Sequence, residues 1–158
     1  MNSIALFGAG GHGKVVAEIA ELNGYSKIAF FDDNYPKIKR AGFWPVLGLK
    51  TDLIKRLNDF DEVIVTIGDN RTRAKIASEL RGFAKMAKLI HPLAIVSSSA
   101  KISPGSVVMA GAVVNPYATI EENSIVNTSA VVDHDCRIRE AAHISPGAIL
   151  AGNVSVGA

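Results

Sequence analysis

The chain has 158 residues, of which 48% are hydrophobic, so it can bury the core of one large or two small domains. Its 17 Lys and Arg residues nearly balance its 15 Asp and Glu residues and form no basic run, which argues against nucleic acid or a membrane as a partner. The apolar start, residues 4–7, is too short for a membrane span or a secretory signal. The single cysteine, Cys136, excludes an internal disulfide and fits a reducing compartment, so we expect a globular cytoplasmic protein.

Residues 1 to about 90 alternate short apolar runs with helical stretches. The predicted strands are 3–7, 27–31, 62–67 and 88–90, and the predicted helices are 14–23, 49–57 and 70–80. This order predicts a small parallel sheet with helices on its faces. Residues 34–44 carry little periodicity and are expected to form a mobile loop.

After His91 and Pro92 the pattern changes to a repeat of six residues. Every sixth position is a branched aliphatic: Val96, Ile102, Val108, Val114, Ile120, Val126, Val132, Ile138, Ile144, Leu150 and Val156. The residue two positions before each of these is small in every case except Val154. A strict six matches neither the helical period of roughly 3.6 residues nor the period of two of a flat strand. It predicts a three-sided prism of short parallel strands, with the aliphatics inside, the small residues at the corners and coils about 4.8 Å apart.

A glycine-rich loop directly follows the first predicted strand. Gly8, Gly10 and Gly13 have the G-x-G-x-x-G spacing, and Asp32 ends the second strand. This pattern is typical of dinucleotide binding, so an NAD-dependent oxidoreductase is one interpretation. The αβ half is short for the two mononucleotide-binding halves that a dinucleotide requires, and a single nucleotide diphosphate fits it better. A tight strand-to-helix turn without a ligand is the remaining alternative.

The hexads resemble the left-handed parallel β-helix of the hexapeptide-repeat acyltransferases. The glycine loop, 7–13, together with the motifs at 127–129 and 132–136, resembles the sialic acid O-acetyltransferase and UDP-4-amino-sugar N-acetyltransferase group. The resemblance implies a Rossmann-like sugar-nucleotide domain at 1–91, a left-handed β-helix at 92–158, a homotrimer, and acetyl-CoA as co-substrate bound between copies. Family members continue for several more coils, so the β-helix is expected to be C-terminally incomplete.

The same resemblance assigns the substrate-binding residues. It places the loop Gly10, Gly11, His12 and Gly13 near the diphosphate and sugar of a UDP-sugar, and Asp32 and Asp33 toward the nucleoside. It places Gly68, Asn70 and Arg73 beside the same pocket, and Asn127 among the substrate contacts in the β-helix.

His134 is the candidate general base. It follows the interior residue Val132 by two positions, so it projects from the prism, and Asp133 and Asp135 flank it. Neutral imidazole is suited to removing a proton from an attacking amine or hydroxyl near neutral pH, and a carboxylate can hold its tautomer. The family resemblance points to the same His134–Asp135 pair.

The resemblance adds two further catalytic candidates, His143 near the acyl group and Gly152. The backbone N–H of Gly152 would serve as an oxyanion donor. The alternatives for the two residues are a packing or interface histidine and a simple turn glycine.

Several functions remain open at this level. An amine and a hydroxyl acceptor are equally compatible with the motifs, and a noncatalytic sugar-nucleotide sensor is a second class of function. The four histidines lack a local zinc-ligand motif, so no metal is expected, although a carbonic-anhydrase-like metal site between copies is an alternative.

Overall fold

The computed structural model describes residues 2–157 and divides the chain into two compact units that meet between Ala87 and Lys88. The strands of the first unit are β1 (Asn2–Phe7), β2 (Tyr25–Phe31), β3 (Arg40–Ala41), β4 (Trp44–Pro45) and β5 (Glu62–Val65). Its helices are α1 (Gly11–Leu22), α2 (Lys50–Lys55) and α3 (Asn70–Leu80), with a 3-10 turn at Leu57–Asp59. No helix within residues 2–157 is long and apolar enough to cross a membrane.

The first unit is built on a parallel sheet of three strands in the order β2-β1-β5. Phe7 pairs with Phe31 on one side and Val65 on the other, so the three strands end together at one edge. The strands are almost wholly buried because helices and loops cover both faces, as is usual for parallel sheets. Backbone groups that follow the strands therefore meet at this carboxyl edge.

Residues 34–44 differ from the expected mobile loop, because they include a short antiparallel hairpin of β3 and β4. The ring centroids of Trp44 and Phe30 lie 6.2 Å apart, and Trp44 Nε1 donates to Glu21 Oε1 at 2.9 Å. Gly42 turns the hairpin with a φ of 62°. These anchors are distant in sequence, so local periodicity did not reveal them.

The predicted strand 88–90 is also corrected. It forms as β6 (Leu89–Ile90), but it pairs with β9 of the second unit and not with the three-stranded sheet. Its carbonyl and amide groups thus complete the first coil of the repeat. The boundary between the two units consequently lies four residues before the predicted one, which followed residue 91.

The second unit is a stack of two-residue parallel strands. They are β6 (Leu89–Ile90), β7 (Ile95–Val96), β8 (Lys101–Ile102), β9 (Val107–Val108), β10 (Val113–Val114), β11 (Thr119–Ile120), β12 (Ile125–Val126), β13 (Val131–Val132), β14 (Arg137–Ile138), β15 (His143–Ile144), β16 (Ile149–Leu150) and β17 (Ser155–Val156). They form three sheets, β6-β9-β12-β15 (face 1), β7-β10-β13-β16 (face 2) and β8-β11-β14-β17 (face 3). The chain visits the faces in rotation, which is the predicted β-helix.

The interior contains the hexad aliphatics and the small residues two positions before them, packed in one cluster. The corners require left-handed backbone, and φ lies between 55° and 77° at every sixth residue from Gly105 to Asn153. Three of these positions are glycine, and the others are Tyr117, Asn123, Ser129, Asp135, Ala141 and Asn153. A bulky residue such as Tyr117 adopts this conformation at a cost of about 1 kcal/mol or more.

On faces 2 and 3 the first residue of each short strand lies outside the interior cluster, and the two faces differ in what they present there. Face 2 carries only aliphatics there, Ile95, Val113, Val131 and Ile149, and the two end members are 68% and 75% exposed. Face 3 carries Lys101, Thr119, Arg137 and Ser155 at the same positions. Face 2 is therefore an apolar surface in register along the stack.

Candidate active site

A cleft of about 420 Å³ opens at the carboxyl edge of the three-stranded sheet. It is lined by Phe7, Gly8, Gly10, Gly11, His12, Asp32, Asp33, Asn34, Thr66, Ile67 and Gly68. Helix α1 begins at Gly11, so its N-terminal amides and the positive end of its dipole lie at this cleft. The arrangement favours an anionic group such as a diphosphate.

The glycines of the loop have two different tasks. A Cβ on Gly13 would collide with the carbonyl oxygen of Gly8, and Gly8 itself has a φ of 117° and lies against Thr66. Gly10 and Gly11 have no heavy atom within 4 Å of an added Cβ, so their backbone faces open space. Gly8 and Gly13 therefore allow the strand and helix to pack, whereas Gly10 and Gly11 leave room for a ligand.

Asp32 and Asp33 both line the cleft but differ in how they are held. Asp32 Oδ2 accepts from the Ala9 amide at 2.7 Å, and its Oδ1 accepts from the backbone and side chain of Asn34 at 2.8 and 2.9 Å. Desolvation raises the pKa of the Asp32 carboxyl, but these hydrogen bonds outweigh it and hold the pKa below its ordinary value. Asp32 thus fixes the loops, and Asp33 is the more exposed carboxylate beside the cleft.

Three of the substrate residues predicted in the first unit, Gly13, Asn70 and Arg73, do not line the cleft. The contacts of Arg73 show why. Its guanidinium is buried and donates to the carbonyls of Ile67 and Gly68 at 2.8 and 2.9 Å, and to Asn70 Oδ1 at 2.8 Å. Burial lowers the pKa of Arg73 to about 10, so it remains cationic near neutral pH. Arg73 and Asn70 hold the turn that presents Gly68, and Gly13 packs against the strand.

The prism displays a second group of polar residues at the corner between faces 2 and 3. His134 Nδ1 lies 2.8 Å from Asp135 Oδ2, and its side chain is 58% exposed. Asp133 Oδ1 accepts from the backbone N of His134 at 2.8 Å. The hydrogen bond to Asp135, with the nearby charge of Asp133, raises the pKa of the His134 imidazole. The ring is therefore oriented through Nδ1, and Nε2 is the nitrogen that can act as a base.

Gly152 occupies the same corner one coil later. A Cβ on Gly152 would lie 2.5 Å from both Cε1 and Nε2 of His134, so the imidazole takes the space that a side chain would need. The Asn153 amide donates to the His134 carbonyl at 2.8 Å and ties the two coils together. Gly152 is needed here for space, since its φ is not among the positive values.

His143 and Asn127 form a separate pair. His143 is the outward residue of β15 on face 1, and its Nε2 lies 2.8 Å from Asn127 Nδ2. In a three-sided prism, face 1 is opposite the corner between faces 2 and 3. Within one chain the structure therefore brings together His134, Asp135 and Gly152, but places His143 on the other side.

Two residues of these sites were not singled out from the sequence. Thr66 follows β5, lines the cleft, and donates through its buried Oγ1 to Gly8 O at 2.8 Å. Asn115 donates through Nδ2 to Asp133 Oδ1 at 2.7 Å from one coil before. Asn115 could have been found by aligning the coils, because Val114 and Val132 are register partners and each is followed by a polar residue.

Within residues 2–157, no group of three or more His, Cys, Asp or Glu side chains could hold a metal ion. The three-stranded sheet corresponds to one mononucleotide-binding half, which is less than the NAD interpretation requires.

Comparison with known proteins adds to this geometry. Residues 3–80 match the family model described as the PglD N-terminal domain. UDP-N-acetylbacillosamine N-acetyltransferase from Bacillus subtilis (strain 168) is 38% identical over 112 residues, which are 68% of this chain and 51% of that protein. The chain thus spans about half the length of this curated relative.

Two solved structures are similar over nearly the whole chain. The acetyltransferase domain of PglB from Neisseria gonorrhoeae FA1090, in complex with acetyl coenzyme A, is 43% identical with a TM-score of 0.92, covering 99% of this chain and 77% of that one. A single-residue mutant of GDP-perosamine N-acetyltransferase from Caulobacter crescentus, in complex with CoA and GDP-perosamine, is 35% identical with a TM-score of 0.92, covering 98% of this chain and 74% of that one.

The fold and the similarity to these solved structures define the class, the hexapeptide-repeat β-helix acyltransferases. Within that class, the chain belongs to the acetyltransferase family that carries a PglD N-terminal domain.

Proposed function

We propose that this protein transfers an acetyl group from acetyl-CoA to the amino group of a nucleotide-linked amino sugar, with His134 as general base. The observation that carries the proposal is the His134–Asp135 pair, which is oriented through Nδ1 and held against Gly152 in the fold of this family. The relatives support it, since one is an N-acetyltransferase of a UDP-sugar and another has been seen with CoA and GDP-perosamine.

The reaction follows from the geometry of the pair. The sugar amine attacks the thioester carbonyl, and His134 Nε2 accepts the proton that the nitrogen loses. Asp135 stabilises the imidazolium through Nδ1–H, in the manner of an acid–histidine pair. Collapse of the tetrahedral intermediate forms the amide and breaks the C–S bond, and the imidazolium returns its proton to the leaving thiolate. The Gly152 N–H is proposed as the donor to the oxyanion.

The sugar nucleotide is proposed to bind in the cleft of the first unit. Gly10 and Gly11 leave space for its diphosphate at the start of α1, and His12 lines the same wall. Asp33 is the carboxylate proposed to contact the nucleoside. UDP is the proposed nucleotide, in line with the Bacillus subtilis relative, and GDP is the comparison that tests it. The cytoplasm stays the predicted compartment.

The active unit in this proposal is a homotrimer. Face 2 offers an aliphatic row of the kind that usually marks a protein interface, with Ile95 and Ile149 exposed and Val113 and Val131 half-buried between them. Because His143 and Asn127 lie opposite His134 in one chain, they can serve the same site only if a second copy supplies them.

The trimer is tested by light scattering coupled to size exclusion. Val131→Lys places a charge in the centre of the apolar row and should yield monomers that have lost activity. Thr119→Lys makes the same change at the equivalent outward position of face 3 and should remain trimeric. A Val131→Lys protein that stays trimeric would contradict the assignment of face 2.

The activity is tested by measuring free thiol released from acetyl-CoA with UDP- and GDP-linked 4-amino sugars. His134→Asn should reduce kcat by a factor on the order of 10² to 10⁴, the usual contribution of general-base catalysis, and leave the Kd of the sugar nucleotide unchanged. Binding of the sugar nucleotide without transfer in the unmodified protein would favour the sensor interpretation. Turnover with hydroxyl acceptors alone would favour O-acetylation.

A further inference from the structure

Asn115 lies one coil before Asp133 at the corner that carries His134. Val114 and Val132 are register partners, and the backbone N–H of Asn115 donates to the Val132 carbonyl at 2.9 Å. This pairing aligns the two side chains, and Asn115 Nδ2 donates to Asp133 Oδ1 at 2.7 Å. The same oxygen accepts from the backbone N of His134 at 2.8 Å. One carboxylate oxygen is therefore held between the preceding coil and the residue proposed as base.

We propose that Asn115 is a positioning residue for His134, acting through Asp133, whose carboxylate it holds beside the imidazole. The inference rests on the proposed role of His134 as base. Asp135 contacts the imidazole directly, whereas Asp133 contacts only the main chain of His134 and acts on the ring through its charge. A charge that acts through space is effective only while it stays close. Without Asn115, the Asp133 carboxylate keeps only the hydrogen bond from the His134 backbone and is held less firmly beside the ring.

The surroundings of the His134 ring support these separate roles of Asp135, which contacts the ring, and Asp133, which acts through its charge. The acidic groups that act on the imidazole are Asp135 and Asp133, both from its own corner. The following coil contributes Gly152, which has no side chain, and the preceding coil has Pro116 and Tyr117 at the positions equivalent to 134 and 135. Hydrogen bonds from His134 N and from Asn115 keep the pKa of Asp133 below its ordinary value, so it is anionic where the base operates.

The test uses two variants with opposite electrostatic effects. Asn115→Ala releases the Asp133 carboxylate, and the titration midpoint of His134, followed by NMR of histidine labelled with 13C at Cε1, should move to lower pH. Asn115→Asp keeps the shape but adds a negative charge, and the midpoint should move to higher pH. The acidic limb of kcat/KM should follow in each case. For Asn115→Ala we expect kcat about two- to fivefold lower with unchanged KM.

Two controls make the result specific. In a protein that already carries Asp133→Asn, Asn115→Ala should not shift the titration midpoint of His134 further. A double-mutant cycle requires this result if Asn115 acts through Asp133. Glu121→Gln removes a carboxylate that bonds Arg137 at 2.6 Å at another corner, and should leave the His134 midpoint unchanged. Shifts of the same sign in Asn115→Ala and Asn115→Asp, or an effect that persists without Asp133, would overturn the proposal. The NMR readout needs no turnover, so it stands apart from any failure of the acetyltransferase assay.

Discussion

The imidazole of His134 fills the space where Gly152 lacks a side chain, with Cε1 and Nε2 both 2.5 Å from the position of a Cβ. His134 and Gly152, which lie one coil apart, therefore pack closely against each other. The glycine makes room for the ring, and the ring is fixed from its other side by Asp135.

Gly152→Ala should displace the imidazole and leave the β-helix intact. Displacement of a catalytic group by about 1 Å can cost on the order of 10²-fold in rate, so we expect a loss of that size in kcat with little change in Tm. Gly157→Ala is the matched control, since a Cβ there meets nothing within 4 Å. Equal activity in the two variants would show that the His134 position is not what limits the reaction.

Asp135→Asn should change the pH profile of transfer. The hydrogen bond to Asp135 raises the pKa of His134, and the proposed base is active only when neutral, so we expect the wild-type acidic limb to lie above the ordinary imidazole value. Removing the charge lowers that pKa, and the limb should move to lower pH while the plateau falls, because the imidazolium is less stabilised. The measurement is kcat/KM from pH 5 to 9, roughly spanning the imidazole range. An unmoved limb would mean that another group controls it.

The two kinds of loop glycine should respond differently to alanine. Gly10→Ala places a Cβ in open space, so the fold should be retained and the Kd of the sugar nucleotide should rise about tenfold or more, a loss of roughly 1.4 kcal/mol. Gly13→Ala collides with the Gly8 carbonyl, and the free energy of unfolding should fall by about 1–3 kcal/mol. Calorimetric titration and thermal unfolding separate the two effects. A stable Gly13→Ala protein would contradict the packing role.

Arg73→Met should destabilise the first unit without removing a direct ligand contact. The variant leaves the Ile67 and Gly68 carbonyls without their donor, for which we expect a loss of about 2–3 kcal/mol. Arg71→Met, an exposed change on the same helix, should cost little. Denaturant unfolding of both variants checks this. Weakened nucleotide binding in Arg73→Met at unchanged stability would instead favour a direct role.

Much of the fold was predictable because it repeats or is strongly periodic. Helix α3 has the predicted bounds, 70–80, and the hexads placed the interior residue of each strand from β7 to β17. Helix α1 begins at Gly11, three residues before its predicted start, since glycines have low helix propensity and conceal the first turn. The hairpin at Trp44 depends on Phe30, and such long-range contacts leave no local pattern.

The site was predictable where a residue's role follows from its place in the hexad. His134 projects from the prism as expected, and Asp135 is the carboxylate that holds it. The role of Arg73 was not predictable, because an arginine one turn into a helix is usually exposed, and only the fold of the Ile67–Gly68 turn buries it. The separation of His143 from His134 follows from the order of the faces, which becomes visible once the strands are paired.

Asp135 occupies one of the left-handed corners, with a φ of 59°, where the equivalent residues include Gly111 and Gly147. Glycine would relieve a backbone cost of about 1 kcal/mol at this position, so Asp135→Gly is expected to be tolerated by the prism or even to raise its melting temperature. The same change would leave His134 unsupported. In the proposed mechanism, the stability of the β-helix and the orientation of His134 therefore place opposite demands on the residue at position 135.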